Sequence, residues 1–154
     1  MIGEICAEIK NYFVLDGDRM VDDLTIENGV FTPSFDFPTD YIRIVGSRKN
    51  DGVYKVSDLS KTPSPLRDET FHGGVWFMSV PADFLALVAE IEAWQAENGG
   101  ANSVAMSPFA SESFGGYSYS KGSGASGASG ASSVPTWQST YASRLKQYRK
   151  VRVL

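Results

Sequence analysis

The chain has 154 residues, of which 42% are hydrophobic and 21% charged, a composition typical of a globular protein with one modest core. No apolar run approaches the roughly 20 residues that cross a bilayer, and the N-terminus lacks the zones of a signal peptide, so we expect neither a membrane span nor secretion. The single cysteine, Cys6, excludes an internal disulfide and a zinc site built from cysteines.

Charge is distributed unevenly along the chain. Residues 1–112 contain all 18 acidic side chains and 8 basic ones, a net charge of −10, whereas residues 113–154 contain 6 basic side chains and no acidic one. An acidic body followed by a basic tail predicts that the tail has an anionic partner. The sequence leaves open whether that partner is its own body, another subunit, another protein or a nucleic acid.

The N-terminal segment is predicted to be a helix because apolar residues recur at three- and four-residue spacings, and Asp16-Gly17-Asp18 is expected to end it. The apolar stripe consists of Ile2, Ile5, Cys6, Ile9, Tyr12 and Phe13. We interpret Cys6 as a small buried hydrophobe and not as a nucleophile, because no partnering base lies near it in the sequence.

An antiparallel β region follows, at about 24–80. Two short β-rich runs flank Asn28-Gly29, the pair that best tolerates the positive φ angles of a two-residue turn, and they predict a hairpin. The β-branched run 41–45 and the short run 53–56, joined by a turn-forming segment, predict a second hairpin.

The remainder of the β region is predicted to contain a proline-bearing loop over 57–68 and two further strands, 69–71 and 75–80, around a turn at Gly73-Gly74. The total is about six short strands. His72, the only histidine, is placed in or beside that turn, and a turn position is a simpler interpretation than a charge-relay or metal role.

Pro81 and a run of apolar residues with helical period predict a long helix that ends at Asn98-Gly99-Gly100. Residues 122–133 repeat Gly-Ala-Ser and are predicted to be a flexible linker that spans roughly 17 to 20 Å. A last helix is expected to start near Pro135. Its apolar stripe consists of Trp137, Tyr141, Leu145 and Tyr148, and its basic residues are Arg144, Lys146, Arg149, Lys150 and Arg152.

Motifs that would indicate catalysis or cofactor binding are weak in this sequence. The acidic cluster Asp16, Asp18, Asp22 and Asp23 lacks the spacing of a calcium loop and is interpreted as a solvated turn. The glycine tract lacks the Gly-Lys-Ser/Thr ending of a phosphate-binding loop. The tail aromatics are of a type that stacks on nucleic-acid bases, but their helical stripe favours a packing face. We therefore expect no enzymatic activity, no cofactor and no metal.

Three blocks near the C-terminus form a combined pattern. Residues 111–120 read SESFGGYSYS, and beyond the linker follow Trp137-Gln138 and, over 144–150, RLKQYRK. This pattern resembles tailed-bacteriophage head-tail connector (adaptor) proteins. Further blocks resemble the β insertion of some prophage members: 41–47, 50–54, 68–71, 75–76 and 80–81. Many connectors are nearly all-helical, and the Gly-Ala-Ser tract is not part of their pattern, so a head-closure protein of the same neck stays an alternative.

The resemblance implies a homo-oligomeric, dodecameric ring under the portal protein, at the neck of the virion. Such a ring binds the portal and a downstream neck or tail protein, touches DNA passively in its channel, and is found in the host cytoplasm during assembly. From a different class, a soluble ligand- or nucleic-acid-binding β module is the runner-up.

We therefore predict an α+β fold, with a small helical core made by the N-terminal, middle and C-terminal helices and an inserted antiparallel β subdomain. The body is 1–121, the linker 122–133 and a basic amphipathic docking helix 134–154. Two segments are expected to make the subunit or portal contacts. Their residues are Phe114, Gly115, Gly116, Tyr117, Tyr119, Trp137, Tyr141, Arg144, Leu145, Tyr148, Arg149 and Lys150.

Overall fold

The protein is mixed α+β, as predicted, with four helices and an antiparallel sheet among the described residues. A computed structural model describes residues 1–99 and 135–150, together with the backbone of 111–114 and 117–120. The elements in chain order are α1 Ile2–Ile9, β1 Arg19–Glu27, β2 Val30–Thr32, β3 Tyr41–Val45, β4 Gly52–Lys55, α2 Val56–Leu59, β5 Glu69–Met78, α3 Ala82–Asn98, β6 Ser111–Phe114, β7 Tyr117–Ser120 and α4 Trp137–Lys146. The predicted linker 122–133 lies outside the described residues.

The chain forms two compact units. The first comprises Met1–Ala86 and Tyr148–Leu154, and the second comprises Leu87–Gln147. The first unit contains α1, α2 and strands β1 to β5, whereas the second contains most of α3, the two short strands β6 and β7, and α4. The predicted boundaries at 121 and 134 lie outside the described residues.

The main sheet has five strands in the order β2-β1-β5-β3-β4, and every neighbouring pair is antiparallel. Both predicted hairpins are confirmed. In the first, Asn28 and Gly29 have φ values of 53° and 75°, the left-handed conformation that a two-residue turn requires. The sheet begins at Arg19, five residues earlier than expected, so Asp22 and Asp23 lie in strand β1 and not in a solvated turn.

Strand β5 corrects the prediction of a turn at Gly73-Gly74. The strand runs without interruption from Glu69 to Met78, so the two predicted strands are one and His72 lies within it. A Cβ atom at Gly73 would overlap the carbonyl oxygen of Val45 on the neighbouring strand. These glycines therefore permit a close approach of backbones inside a sheet, a second role that glycine has in strands besides turn formation.

Helix α1 ends earlier than its apolar stripe suggested, which places Tyr12 and Phe13 outside the helix. Lys10 adopts a left-handed conformation with φ of 55°, and its N–H donates to the carbonyl of Ala7 while the N–H of Asn11 donates to that of Cys6. This pair of hydrogen bonds is the Schellman arrangement that ends helices. Because the residue in the left-handed position is a lysine and not a glycine, the sequence did not predict that the helix ends here.

The main sheet has two different faces. Alternate residues of its strands point to one face, here called the core face, where the buried side chains form a hydrophobic cluster. The cluster comprises Leu24, Ile26, Phe31, Ile42, Ile44, Leu59, Leu66, Phe71 and Val75. The opposite face, here called the outer face, carries Arg19, Val21 and Asp23 of β1, all exposed. The N-terminal end of α1 covers part of the outer face, where Gly3 approaches Val53 of β4.

The two longer C-terminal helices differ in how well the sequence located them. Helix α3 has the predicted start after Pro81 and the predicted end at Asn98. Helix α4 begins at Trp137 with a capping box between Thr136 and Ser139 and ends at Lys146. Tyr148 therefore lies beyond the helix and is not part of its apolar stripe.

The segment 57–68, which was predicted to be a loop, contains most of the short helix α2, Val56–Leu59.

Candidate interaction sites

Tyr148 belongs to the first unit, where its ring packs in an aromatic cluster. The ring centroid lies 5.0 Å from that of Phe84, which is fully buried, and 6.4 Å from that of Phe13. The Tyr148 hydroxyl donates a hydrogen bond of 2.6 Å to Oδ2 of Asp83, and this bond lowers the pKa of the Asp83 carboxyl. The contacts of the ring and the hydroxyl of Tyr148 hold the segment that follows α4 within the first unit.

Asn11 also binds the segment that contains Tyr148. Its side-chain nitrogen donates to the carbonyl of Tyr148 at 2.9 Å, and its side-chain oxygen accepts from the N–H of Phe13 at 2.9 Å. The backbone N–H of Lys150 donates to the carbonyl of Ile9, and Arg149 lies 3.9 Å from Glu8. Residues 148–150 are thus held by backbone and side-chain hydrogen bonds to their own chain.

In the second unit, α4 buries two residues of its predicted stripe, Trp137 and Leu145, and half-buries Tyr141 between them. Arg144 makes two hydrogen bonds to the carboxylate of Glu90 on α3, at 2.5 and 3.1 Å, and they lower the pKa of that carboxyl. Arg144 is therefore partnered within the chain. Of the basic residues of α4, Lys146 is exposed and has no ion-pair partner within the described residues.

The segment predicted as an extended contact strand forms a backbone hairpin. Strand β6 pairs antiparallel with β7, with Phe114 opposite Tyr117 and Glu112 opposite Tyr119. The extended backbone expected at Tyr117 and Tyr119 is present, with a partner strand in the same chain. Gly115 and Gly116 lie outside the described residues.

On the outer face, three residues that are far apart in the sequence lie together. Arg19 on β1 and Arg43 on β3 are both directly opposite Trp76 on the central strand β5. The guanidinium carbons lie 4.7 and 4.8 Å from the Trp76 ring centroid, and that of Arg43 lies 3.7 Å from the ring of Tyr12. The alternation Ile42-Arg43-Ile44 predicts that Arg43 points away from the core. It does not predict which residues of other strands lie beside Arg43.

A polar network closes one end of the core face. The carboxylate of Glu69 accepts hydrogen bonds from the Ser47 hydroxyl at 2.5 Å, from the backbone N–H groups of Arg48 and Lys49, and from the side-chain nitrogen of Asn50. These bonds, led by that of Ser47, lower the pKa of Glu69. Asn50 is fully buried and also bridges to the backbone of Arg67. The network fixes the turn between β3 and β4.

Cys6 and His72, the two residues considered for catalysis in the sequence, lie in different environments. Cys6 is fully buried in α1, and burial raises the pKa of its thiol to about 12, with the positive charge of Arg43 acting in the opposite direction. A thiol with that pKa is protonated and unreactive at neutral pH. Nδ1 of His72 lies 2.8 Å from Oδ1 of Asp23, and both side chains are exposed on the outer face.

Two further observations bear on function. Within the described residues no group of three or more acidic, histidine or cysteine side chains is arranged to hold a metal ion. None of the described helices combines the length and the apolar character that crossing a membrane needs.

Comparisons of the chain with family models, with curated proteins and with solved structures give no match.

Proposed function

We propose that this protein is a structural component of a tailed-phage neck, a head-tail connector that forms a ring under the portal, binds the next neck or tail protein and surrounds the DNA channel. It acts by assembly and not by catalysis. In this proposal the protein resides in the virion neck and, during assembly, in the host cytoplasm. The alternative of a head-closure protein in the same neck differs only in which ring it binds.

The observation that carries the proposal is the hairpin of β6 and β7. In the block that resembles the connectors, residues 111–114 and 117–120 form two paired strands, and within the described residues no third strand joins them. A two-stranded sheet has a free edge on each strand, and such edges accept a strand from another chain. This hairpin is suited to contact between subunits of a ring.

Charge supports the same proposal. The first 112 residues have a net charge of −10 and residues 113–154 a net charge of +6, and opposite charges of this kind favour contact between neighbouring copies in a ring. The exposed Lys146 on α4 is available for such a contact, whereas Trp137, Leu145 and Arg144 are engaged inside the chain. We therefore assign the docking role of α4 to its exposed basic side and not to its buried stripe.

The test is assembly of the purified full chain with the portal protein of the same phage, followed by native mass spectrometry and negative-stain electron microscopy. We expect closed rings with a central opening that bind the portal directly. A chain that stays monomeric over a wide concentration range, both alone and with the portal, contradicts the proposal. Rings that bind only a preformed connector ring support the head-closure alternative.

The role of the tail is tested by a point variant and not by truncation, because removal of residues 134–154 also removes Tyr148 from its contact with Phe84. Lys146→Glu reverses a charge on the exposed side of α4 and leaves the buried residues unchanged. We expect it to reduce incorporation into necks. Lys55→Glu, the same substitution at an exposed position that forms no ion pair within the described residues, is the matched control and should be incorporated normally.

A further inference from the structure

A half-open pocket of about 640 Å³ lies in the first unit, between the end of α1 and the outer face of the sheet. Four basic side chains line it, together with two aromatic rings: Lys10, Arg19, Arg43, Lys150, Tyr12 and Trp76. The volume lies within the range of about 300 to 1,000 Å³ that is usual for small-molecule sites. Such a concentration of positive charge is unexpected in a chain with a net charge of −4.

The two guanidinium groups are held in place before any ligand arrives. Arg43 is half-buried against the rings of Tyr12 and Trp76, and Arg19 lies over Trp76, with the distances given above. A guanidinium that stacks on a ring uses its flat face and leaves its N–H edge free to donate. Neither arginine forms an ion pair within the described residues, so the planar fork of each, which binds two oxygens of an anion at once, is available to a ligand.

The four cations form no ion pair with any residue that the structure describes. Within the described residues, the ion pairs involve Lys61, His72, Arg144 and Arg149, and none includes Lys10, Arg19, Arg43 or Lys150. Grouping like charges without a counter-charge is unfavourable unless an external anion offsets it. The positive charge of the pocket is therefore available to a ligand.

We propose that this pocket binds a phosphate group, carried by a nucleotide or by a nucleic-acid strand. Four cations around one opening match a group with two negative charges or a chain of phosphodiesters better than they match a single carboxylate. The apolar wall that Tyr12, Val14 and Ala7 provide accommodates a sugar or base attached to the phosphate. The site goes beyond the neck function proposed above and does not depend on ring formation.

The test is calorimetric titration of the full chain at low salt with four probes: inorganic phosphate, adenosine monophosphate, a single-stranded oligothymidylate and an oligoglutamate peptide. We expect the phosphate-bearing organic probes to bind and oligoglutamate to bind more weakly. If the mononucleotide binds as well as the oligonucleotide, the source is a free nucleotide. If the oligonucleotide binds more tightly, with a marked salt dependence, the source is a strand.

Variants separate this site from general charge attraction. Arg19→Gln and Lys150→Gln, both at exposed positions, should each weaken binding by about tenfold, and Arg48→Gln, the same loss of charge outside the pocket, should leave it unchanged. Arg43→Lys keeps the charge but removes the fork, and it should also weaken binding by about tenfold. Circular dichroism of each variant checks that the fold is retained.

Three results would overturn the proposal. They are the absence of binding by any phosphate-bearing probe, an equal loss of affinity in Arg48→Gln and in the pocket variants, and binding of oligoglutamate that matches or exceeds that of the phosphate probes. The Arg19→Gln and Lys150→Gln variants keep the test decisive even if Arg43→Lys does not fold, because neither side chain is buried. Failure here leaves the ring assembly assay unaffected.

Discussion

The two faces of the five-stranded sheet are built from the same strands and differ in the exposure and charge of many of their side chains. On the core face, Ile42, Ile44 and Val75 are fully buried. On the outer face, the residues that alternate with them include Arg43 and Trp76, which are half-buried, and Arg19, which is exposed. Antiparallel sheets commonly pack one face and leave the other in water. Here the core face is packed, whereas the outer face is covered by α1 over one part and elsewhere leaves Arg19, Arg43 and Trp76 around a pocket.

The charge of the outer face changes along the strands. Next to the row of Arg19, Trp76 and Arg43 is a row that contains Val21 opposite Gly74, and beyond it Asp23 opposite His72. Positive charge is therefore concentrated at one end of the face, near α1, where the pocket lies. The difference between the faces can be measured by substitutions at matched positions.

The largest difference is expected between Ile44 and Val21. Ile44→Ala removes a fully buried side chain and should lower the free energy of unfolding by about 2 to 5 kcal/mol. Val21→Ala, on the outer face and 65% exposed, should change it by less than about 0.5 kcal/mol. Urea unfolding followed by circular dichroism gives both values. Similar losses in the two variants would contradict the division of the sheet into a packed and an open face.

A smaller effect is expected where the polar network closes the core face. Asn50→Ala removes the side chain that donates to the Arg67 carbonyl at 2.9 Å and accepts from the Arg67 N–H at 2.7 Å. Backbone groups deprived of a partner in a buried position cost about 1 to 3 kcal/mol, and the same unfolding assay measures this loss. Arg48→Ala, exposed in the same turn, should stay within about 0.5 kcal/mol of the wild type.

The next prediction concerns pH. Because the hydrogen bonds from Ser47 and its neighbours lower the pKa of Glu69 in the folded state, they stabilise the fold above the ordinary pKa of about 4.3. That contribution is lost as the pH falls through the lowered value. Glu69→Gln should therefore be less stable than the wild type at neutral pH, and the difference should shrink below about pH 4.3.

Unfolding in urea at several pH values measures this difference. Asp83 and Glu90 also have a lowered pKa, but they contribute equally to both proteins and cancel in the comparison. The free energies of unfolding of the wild type and of Glu69→Gln are compared at each pH. If their difference stays constant down to about pH 3, the charge of Glu69 is not what the network stabilises.

The comparison of faces also shows what the sequence could predict. Asn28-Gly29 identified its hairpin because few residue pairs tolerate two consecutive positive φ angles, and the helical periodicity located α3 at both ends. These are local signals. The Gly73-Gly74 pair was misread because glycine serves both in turns and in close backbone contacts, and only the position of Val45 on another strand distinguishes the two.

The outer-face pocket was beyond the reach of the sequence for a related reason. Arg19, Arg43 and Trp76 are far apart in the chain, and they meet because β5 lies between β1 and β3. Alternation of apolar and polar residues predicts which face a side chain occupies but not which strand is its neighbour. Tyr12 joins them because α1 ends at Lys10, which the composition of the helix did not indicate.

The smallest effect is expected at the far end of the outer face, where His72 and Asp23 form a hydrogen-bonded pair with side-chain exposures of 72% and 82%. Water surrounds both groups, so the attraction between them is screened, and ordering the two side chains opposes it. His72→Gln should change the free energy of unfolding by less than about 0.5 kcal/mol at neutral pH. It should also leave phosphate binding unchanged, because His72 does not line the pocket. A loss above about 1 kcal/mol would show that the pair contributes to the fold more than exposed pairs do. A loss of binding would extend the site along the whole outer face.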